Sequence, residues 1–168
     1  MIREFNGKSP RIAQSAFVSE AAYVIGDVVI GENSGVWPGA VIRGDFAGIR
    51  IGQNTMVEDN CVIHTGVSME IGDNVIIGHG VVLHGKTIGD SNLIGNNATI
   101  LENVEIGNYC IVAAGSLLSA GMRVSDHSMV AGMPAKVKKQ TSEKWLQRLD
   151  QGVQQYSRLL VLYKEQGL

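Results

Sequence analysis

Along most of this chain an aliphatic residue returns at every sixth position. The series runs Ile12, Val18, Val24, Ile30, Val36, Ile42, then resumes three residues late at Ile51, Val57 and Ile63. A second break delays it by two, to Ile71, Ile77 and Leu83, and a third advances it by one, to Ile88, Ile94, Ile100, Ile106, Val112, Leu118, Val124 and Val130. Glycine often follows, as at Gly31, Gly52, Gly72, Gly78 and Gly89. The residue two places earlier is commonly small, as at Ala22, Ala40, Cys61, Ala98 and Cys110. A period of six suits neither an amphipathic helix nor a long alternating strand. It suits a stack of coils, each repeat being one short strand and a turn. The aliphatic positions then form inward ladders, small residues fit the crowded corners, and every strand pairs with coils about 4.8 Å above and below. Six residues leave no room for a helix, so the predicted fold is an all-β solenoid.

From Pro134 the period fails. Trp145, Leu146, Leu149, Val153, Tyr156, Leu160 and Tyr163 follow three-and-four spacing, which predicts one amphipathic α-helix. Thr141 or Ser142 is the expected N-cap, and Gly152 weakens the middle. The expected organisation is a solenoid over 1–135, with 1–11 capping the open first coil, and a C-terminal helical segment over 136–168 packed along it.

Composition adds exclusions. The 168 residues are enough for one domain with its own core. A formal net charge of −2, with no basic run, gives nucleic acid no surface. No apolar stretch approaches the roughly 20 residues of a membrane span, and the first residues lack a signal-peptide layout. Cys61 and Cys110 are too few for a disulfide framework, so a cytoplasmic setting is expected. Both fall in the small inward slot, which predicts packing rather than reactivity. The 21 Gly against 3 Pro fit many tight turns.

The repeat gives the histidines a geometry. A period of six resembles that of the hexapeptide-repeat, left-handed β-helix proteins, which implies three repeats per coil, so that positions three repeats apart lie one above another. His64 follows Ile63 and His84 follows Leu83, so the two imidazoles stack on one face, one coil apart, and Arg43 after Ile42 lies in line below them. His79 is second after Ile77, one face earlier, over Asp59 with Glu58 beside it. Two stacked imidazoles are placed to share a zinc, whose Zn–N bonds are about 2.0–2.1 Å. His79 reaches that ion only from a neighbouring chain, so the geometry predicts a metal at a subunit interface, and a threefold ring is the simplest closure. Three nitrogen ligands leave a position open, the layout of catalytic zinc. His127 falls outside this set and reads as a solvated turn residue.

The hexapeptide period resembles that of the left-handed parallel β-helix proteins. RGD at Arg43 to Asp45, EDN at Glu58 to Asn60, HT at His64 and HGVVLHG around His79 and His84 resemble, more narrowly, the gamma class of carbonic anhydrases. The likeness covers nearly the whole chain, helix included. It implies a homotrimer that interconverts CO2 and bicarbonate on Zn2+, or alternatively Fe2+, held by His64 and His84 of one chain and His79 of the next. It also implies that Glu58 orients a metal-bound hydroxide, that Arg43, Asp45 and Asp59 knit the interface, and that Tyr156 stands near the metal. The sequence departs from the family pattern in three places. Glu58 replaces Gln, Phe46 follows Asp45 where an acidic residue can stand, and the loop HTGVSMEIG is short and lacks the glutamate proposed as proton shuttle. Proton release must then pass through buffer or another group. The rival expectations are a hexapeptide-repeat acyltransferase, which needs one histidine as general base, and a thioesterase or weakly active metal-binding relative with the same ligands.

Overall fold

The computed structural model describes residues 1–167. It is a left-handed parallel β-helix of three-sided coils with a single C-terminal helix. Residues three repeats apart pair in parallel: Ile42 with Ile63, Ile63 with Leu83, Leu83 with Ile100 and Ile100 with Leu118. This column, the histidine face, is one of three. Ile51, Ile71, Ile88, Ile106 and Val124 form a second, and Val36, Val57, Ile77, Ile94, Val112 and Val130 a third. All these side chains are buried in one continuous core. β-Branched residues dominate because they pack on a pleated, crowded surface with little rotamer freedom to lose.

The three breaks in the period share one location. They fall between Ile42 and Ile51, between Ile63 and Ile71, and between Leu83 and Ile88, where the chain leaves the histidine face. The strand Val41–Ile51 runs round this corner, and the register to Tyr23–Ile30 shifts between Gly26 and Val28. Extra residues therefore bulge outward at a corner while all three ladders stay aligned. A shift inside a ladder would have displaced every later inward side chain.

The third residue after a ladder position repeatedly takes a left-handed backbone. Asn33, Asn54, Asn60, Asn97 and Asn103 do so, as do Gly39, Gly80 and Gly115. Asn and Gly are the residues that tolerate it. Tyr109 and His127 occupy the same slot at φ 58° and 56°, their rings stacked 4.8 Å apart. His127 is thus an exposed turn residue, though one stacked on a neighbour.

Loss of the period does not start the helix. Ala135–Gln140 form a strand antiparallel to Ser128–Gly132, so the C-terminal segment from 136 is not helical throughout, and helix α1 spans Glu143–Gln166, directly after the expected N-cap position Ser142. The hairpin closes the last coil by pairing with its exposed edge, a protection that a period-based reading does not see. Ser142 is the N-cap residue in extended conformation, without a side-chain cap bond. Helix α1 lies on the outer side of the Val57–Ile77 column. Leu149 and Val153 pack on Ile76, and Leu160 packs with Phe17, Trp37 and Met56. Lys164 Nζ bonds the Gln14 carbonyl at 2.7 Å, so the helix runs back to the first coils. At the other end, Ile2 and Arg3 pair with Val24 and Ile25. Among the described residues no helix is long and apolar enough to cross a membrane.

Two expectations follow. A Cβ on Gly31 would stand 2.6 Å from the Gly52 carbonyl group of the next coil, whereas one on Gly66 meets nothing within 4 Å. Gly31→Ala should cost about 1–3 kcal/mol in denaturant unfolding, and Gly66→Ala should stay within about 0.5 kcal/mol of the parent. Burial pushes the Cys61 thiol up to about 11 and raises that of Cys110. The folded protein thus holds these protons more tightly than the unfolded chain, whose thiols titrate near about 8.5. The stabilising contribution of Cys61, complete below about pH 8.5, should be lost as pH rises through about 11. The denaturation midpoint should fall less over that range in Cys61→Ala than in the parent.

Candidate metal centre

The corner that carries the insertions carries the first group of site residues. Arg43 pairs with His64 in the strand register, and His84 follows Leu83 one coil on. The His64 and His84 rings lie 5.4 Å apart at 79°. Arg43 forms an ion pair with Asp45, whose other oxygen is 3.0 Å from His64 Nε2. Burial works against the Asp45 carboxylate, but Arg43, its own backbone N–H and His64 outweigh burial and hold it below the usual carboxylate range. Phe46, at the tip of the insertion, is 77% exposed, with its ring 5.5 Å from that of His64. Thr65 closes the second insertion by accepting the Val67 N–H and donating to the Val67 carbonyl.

A second group stands at the opposite edge of the same face, where the chain arrives from beneath helix α1. His79 lies between two carboxylates, Nε2 3.0 Å from Glu58 and Nδ1 2.9 Å from Asp59. Glu58 is 4% exposed and also accepts the His79 backbone N–H at 3.1 Å. The Tyr156 hydroxyl faces Glu58 from helix α1; burial first, and the Glu58 and Asp59 charges with it, push that phenol above its ordinary range. Trp37 packs on Tyr156 with ring centroids 5.6 Å apart. The structure therefore brings together Arg43, Asp45, His64 and His84 in one group, and Glu58, Asp59, His79 and Tyr156 in another.

The first group suits a metal. A tetrahedral ion with Zn–N bonds of about 2.0–2.1 Å sets its ligand ring centroids roughly 5 Å apart, close to the His64–His84 spacing. The donor set stops there. Among the described residues no three His, Cys, Asp or Glu side chains of one chain converge as a metal-binding group. Sequence reasoning missed Glu102, whose Oε1 is 3.8 Å from His84 Nδ1. Counting one coil further along the same column, to Ile100 and the residues after it, was the signal that could have found it.

The outer side of the histidine face is uncovered. Val62 and Val82, which precede Ile63 and Leu83, are 37% and 36% exposed. Helix α1 occupies another side, so among the described residues this apolar strip between the two histidine groups stays partly exposed.

Comparison with known proteins gives a consistent picture. Residues 48–84 match the family described as hexapeptide repeat of succinyl-transferase, and residues 85–120 match bacterial transferase hexapeptide (six repeats). A carbonic anhydrase of Geobacillus kaustophilus is 36% identical, over 93% of this chain and 87% of its own length. The mitochondrial gamma carbonic anhydrase 2 of Arabidopsis thaliana is 35% identical over 95% of this chain, which spans 60% of that relative's length. Among solved structures, a hexapeptide transferase family protein from Anaplasma phagocytophilum superposes with a TM-score of 0.93 at 35% identity, covering 96% of this chain and 97% of its own.

Tyr156 should be the last tyrosine to ionise in an ultraviolet alkaline titration. In Tyr156→Phe the highest-pH step should vanish; its persistence would show that Glu58 and burial do not act on this phenol.

Proposed function

The chain belongs to the gamma-class carbonic anhydrase family of hexapeptide-repeat proteins, and from that premise we propose that it catalyses the reversible hydration of CO2 to bicarbonate at metal sites completed between copies of the chain. The observation that supports this most is the division of the histidines: His64 and His84 at one edge of an uncovered face, His79 at the other. Unlike edges that must meet generate a head-to-tail contact, and a threefold ring closes it. The exposed Val62 and Val82 lie on the strip such a contact would bury. His64 and His84 of one copy with His79 of the next supply three nitrogen ligands for Zn2+, with Fe2+ the alternative. As carbonic anhydrase itself exemplifies, a bound zinc supplies Lewis-acid chemistry that lowers the pKa of water to about 7.

The chain's own residues have distinct tasks in this reading. Asp45 pairs with Arg43, so a metal held by His64 would not leave Asp45 unpaired. His79 would likewise part from Glu58 and Asp59. Glu58, almost fully buried, would then be an acceptor able to orient the reacting water. Tyr156 keeps Glu58 company from the helix and excludes solvent on that side. Phe46 gives the entrance an apolar wall suited to CO2. Neither insertion, Phe46 to Gly48 or Gly66 to Ser68, carries an acid or base, so the proton leaves through buffer or a group outside this corner.

A second reading, acyl transfer, is favoured by the transferase description of the Anaplasma structure. It requires one histidine as general base and has no use for a stacked pair.

Elemental analysis of His79→Ala should show metal lost from every site, although the altered residue belongs to the neighbouring copy. Stoichiometric metal in that variant would refute the shared site. Stopped-flow CO2 hydration by protein loaded with zinc, or anaerobically with iron, tests the chemistry. An inactive loaded protein that instead consumes acetyl-coenzyme A would select the second reading.

A further inference from the structure

We propose that Glu102 is a positioning residue for His84, holding its proton on Nδ1 and so presenting Nε2 to the metal. This rests on the metal-site reading above and adds to it a residue outside the histidine coils. Glu102 arrives through the register. Leu83 pairs with Ile100, and the His84 backbone N–H bonds the Ile100 carbonyl at 2.8 Å. The chain then turns at Asn103, whose left-handed backbone follows Glu102 directly. The carboxylate is thereby carried to the corner above His84, with Oε1 3.8 Å from Nδ1.

That separation exceeds a hydrogen bond. The Glu102 side chain is 61% exposed, so packing does not hold it at that distance. No competing ion pair restrains it. Lys86 pairs with Glu105 at 2.9 Å, and among the described residues His84 is the single basic side chain within 4 Å of the Glu102 carboxylate.

The three histidines also differ in which nitrogen is engaged. Asp45 stands at Nε2 of His64, and carboxylates stand at both nitrogens of His79. His84 alone is approached only at Nδ1. A neutral imidazole with Nδ1–H directed at a carboxylate has its lone pair on Nε2, and such an outer partner fixes ring orientation and raises ligand basicity. Of the three histidines, His84 is thus the one whose Nε2 no described carboxylate occupies.

The experiment uses the full chain and two readouts. Zinc affinity, measured by competition with a chromophoric chelator, should fall about 10–100-fold in Glu102→Ala. In Glu102→Gln, which keeps an acceptor oxygen, it should fall by no more than a few-fold. Long-range 1H–15N spectra of metal-free protein, with His84→Gln assigning the signal, should show the His84 proton on Nδ1 in the parent and spread over both nitrogens in Glu102→Ala. A Glu102→Ala affinity within about twofold of the parent, or a parent proton on Nε2, overturns the proposal. If the parent takes up no metal, the metal-site reading fails, and the spectra still decide whether Glu102 positions His84.

Discussion

The coil-to-coil hydrogen bond carries the rest of this structure. Each strand is only two or three residues long over most of the solenoid, far too short to be stable alone. It persists because it pairs with coils on both sides while its aliphatic side chain stands in a continuous column. Correct register is therefore cooperative along the whole molecule. A residue inserted within a column would displace every side chain beyond it, and each would exchange an inward for an outward position. Extra length is tolerated only where the chain turns.

That constraint shapes the site. The irregular lengths all fall at the corner that follows Arg43, His64 and His84, and there the backbone leaves the ladder and projects Phe46 and the Thr65–Met69 turn. The ladder itself holds the two imidazoles at a ring spacing a single ion can bridge. Rigid stacking thus sets the spacing of the two imidazoles, and loose corners surround them. The same ladder keeps His79 away from the pair, because one whole face of the coil separates their slots. In the reading proposed above, a single chain carries both halves of a site and does not join them.

Helix α1 decides which side remains available. By packing Leu149, Val153 and Leu160 on Ile76, Met56 and Trp37, it covers one outer face and leaves the strip with Val62 and Val82 bare. It also brings Tyr156 to Glu58, coupling the last segment of the chain to a carboxylate nearly one hundred residues earlier. The closing hairpin of Ser128–Gly132 with Ala135–Gln140 serves the opposite purpose, giving the final coil a partner for its edge.

Much of this was legible in the sequence. A period of six, with its breaks counted, determines which residues stack, because repetition turns spacing directly into register. The column of Arg43, His64 and His84 and the separate slot of His79 follow from counting once the resemblance to left-handed β-helix proteins supplies three repeats per coil. What counting does not reach is everything set by side-chain direction and by contacts between distant segments. The period ends at Pro134, yet the strand from Ala135 to Gln140 has no periodic mark, since its pairing is antiparallel and terminal. Asp45 on His64, the clasp of Glu58 and Asp59 on His79, and Glu102 over His84 depend on which way a rotatable carboxylate turns at a corner. The repeat fixes where a backbone position lies; only the packed tertiary structure decides where its side chain points and what it meets there.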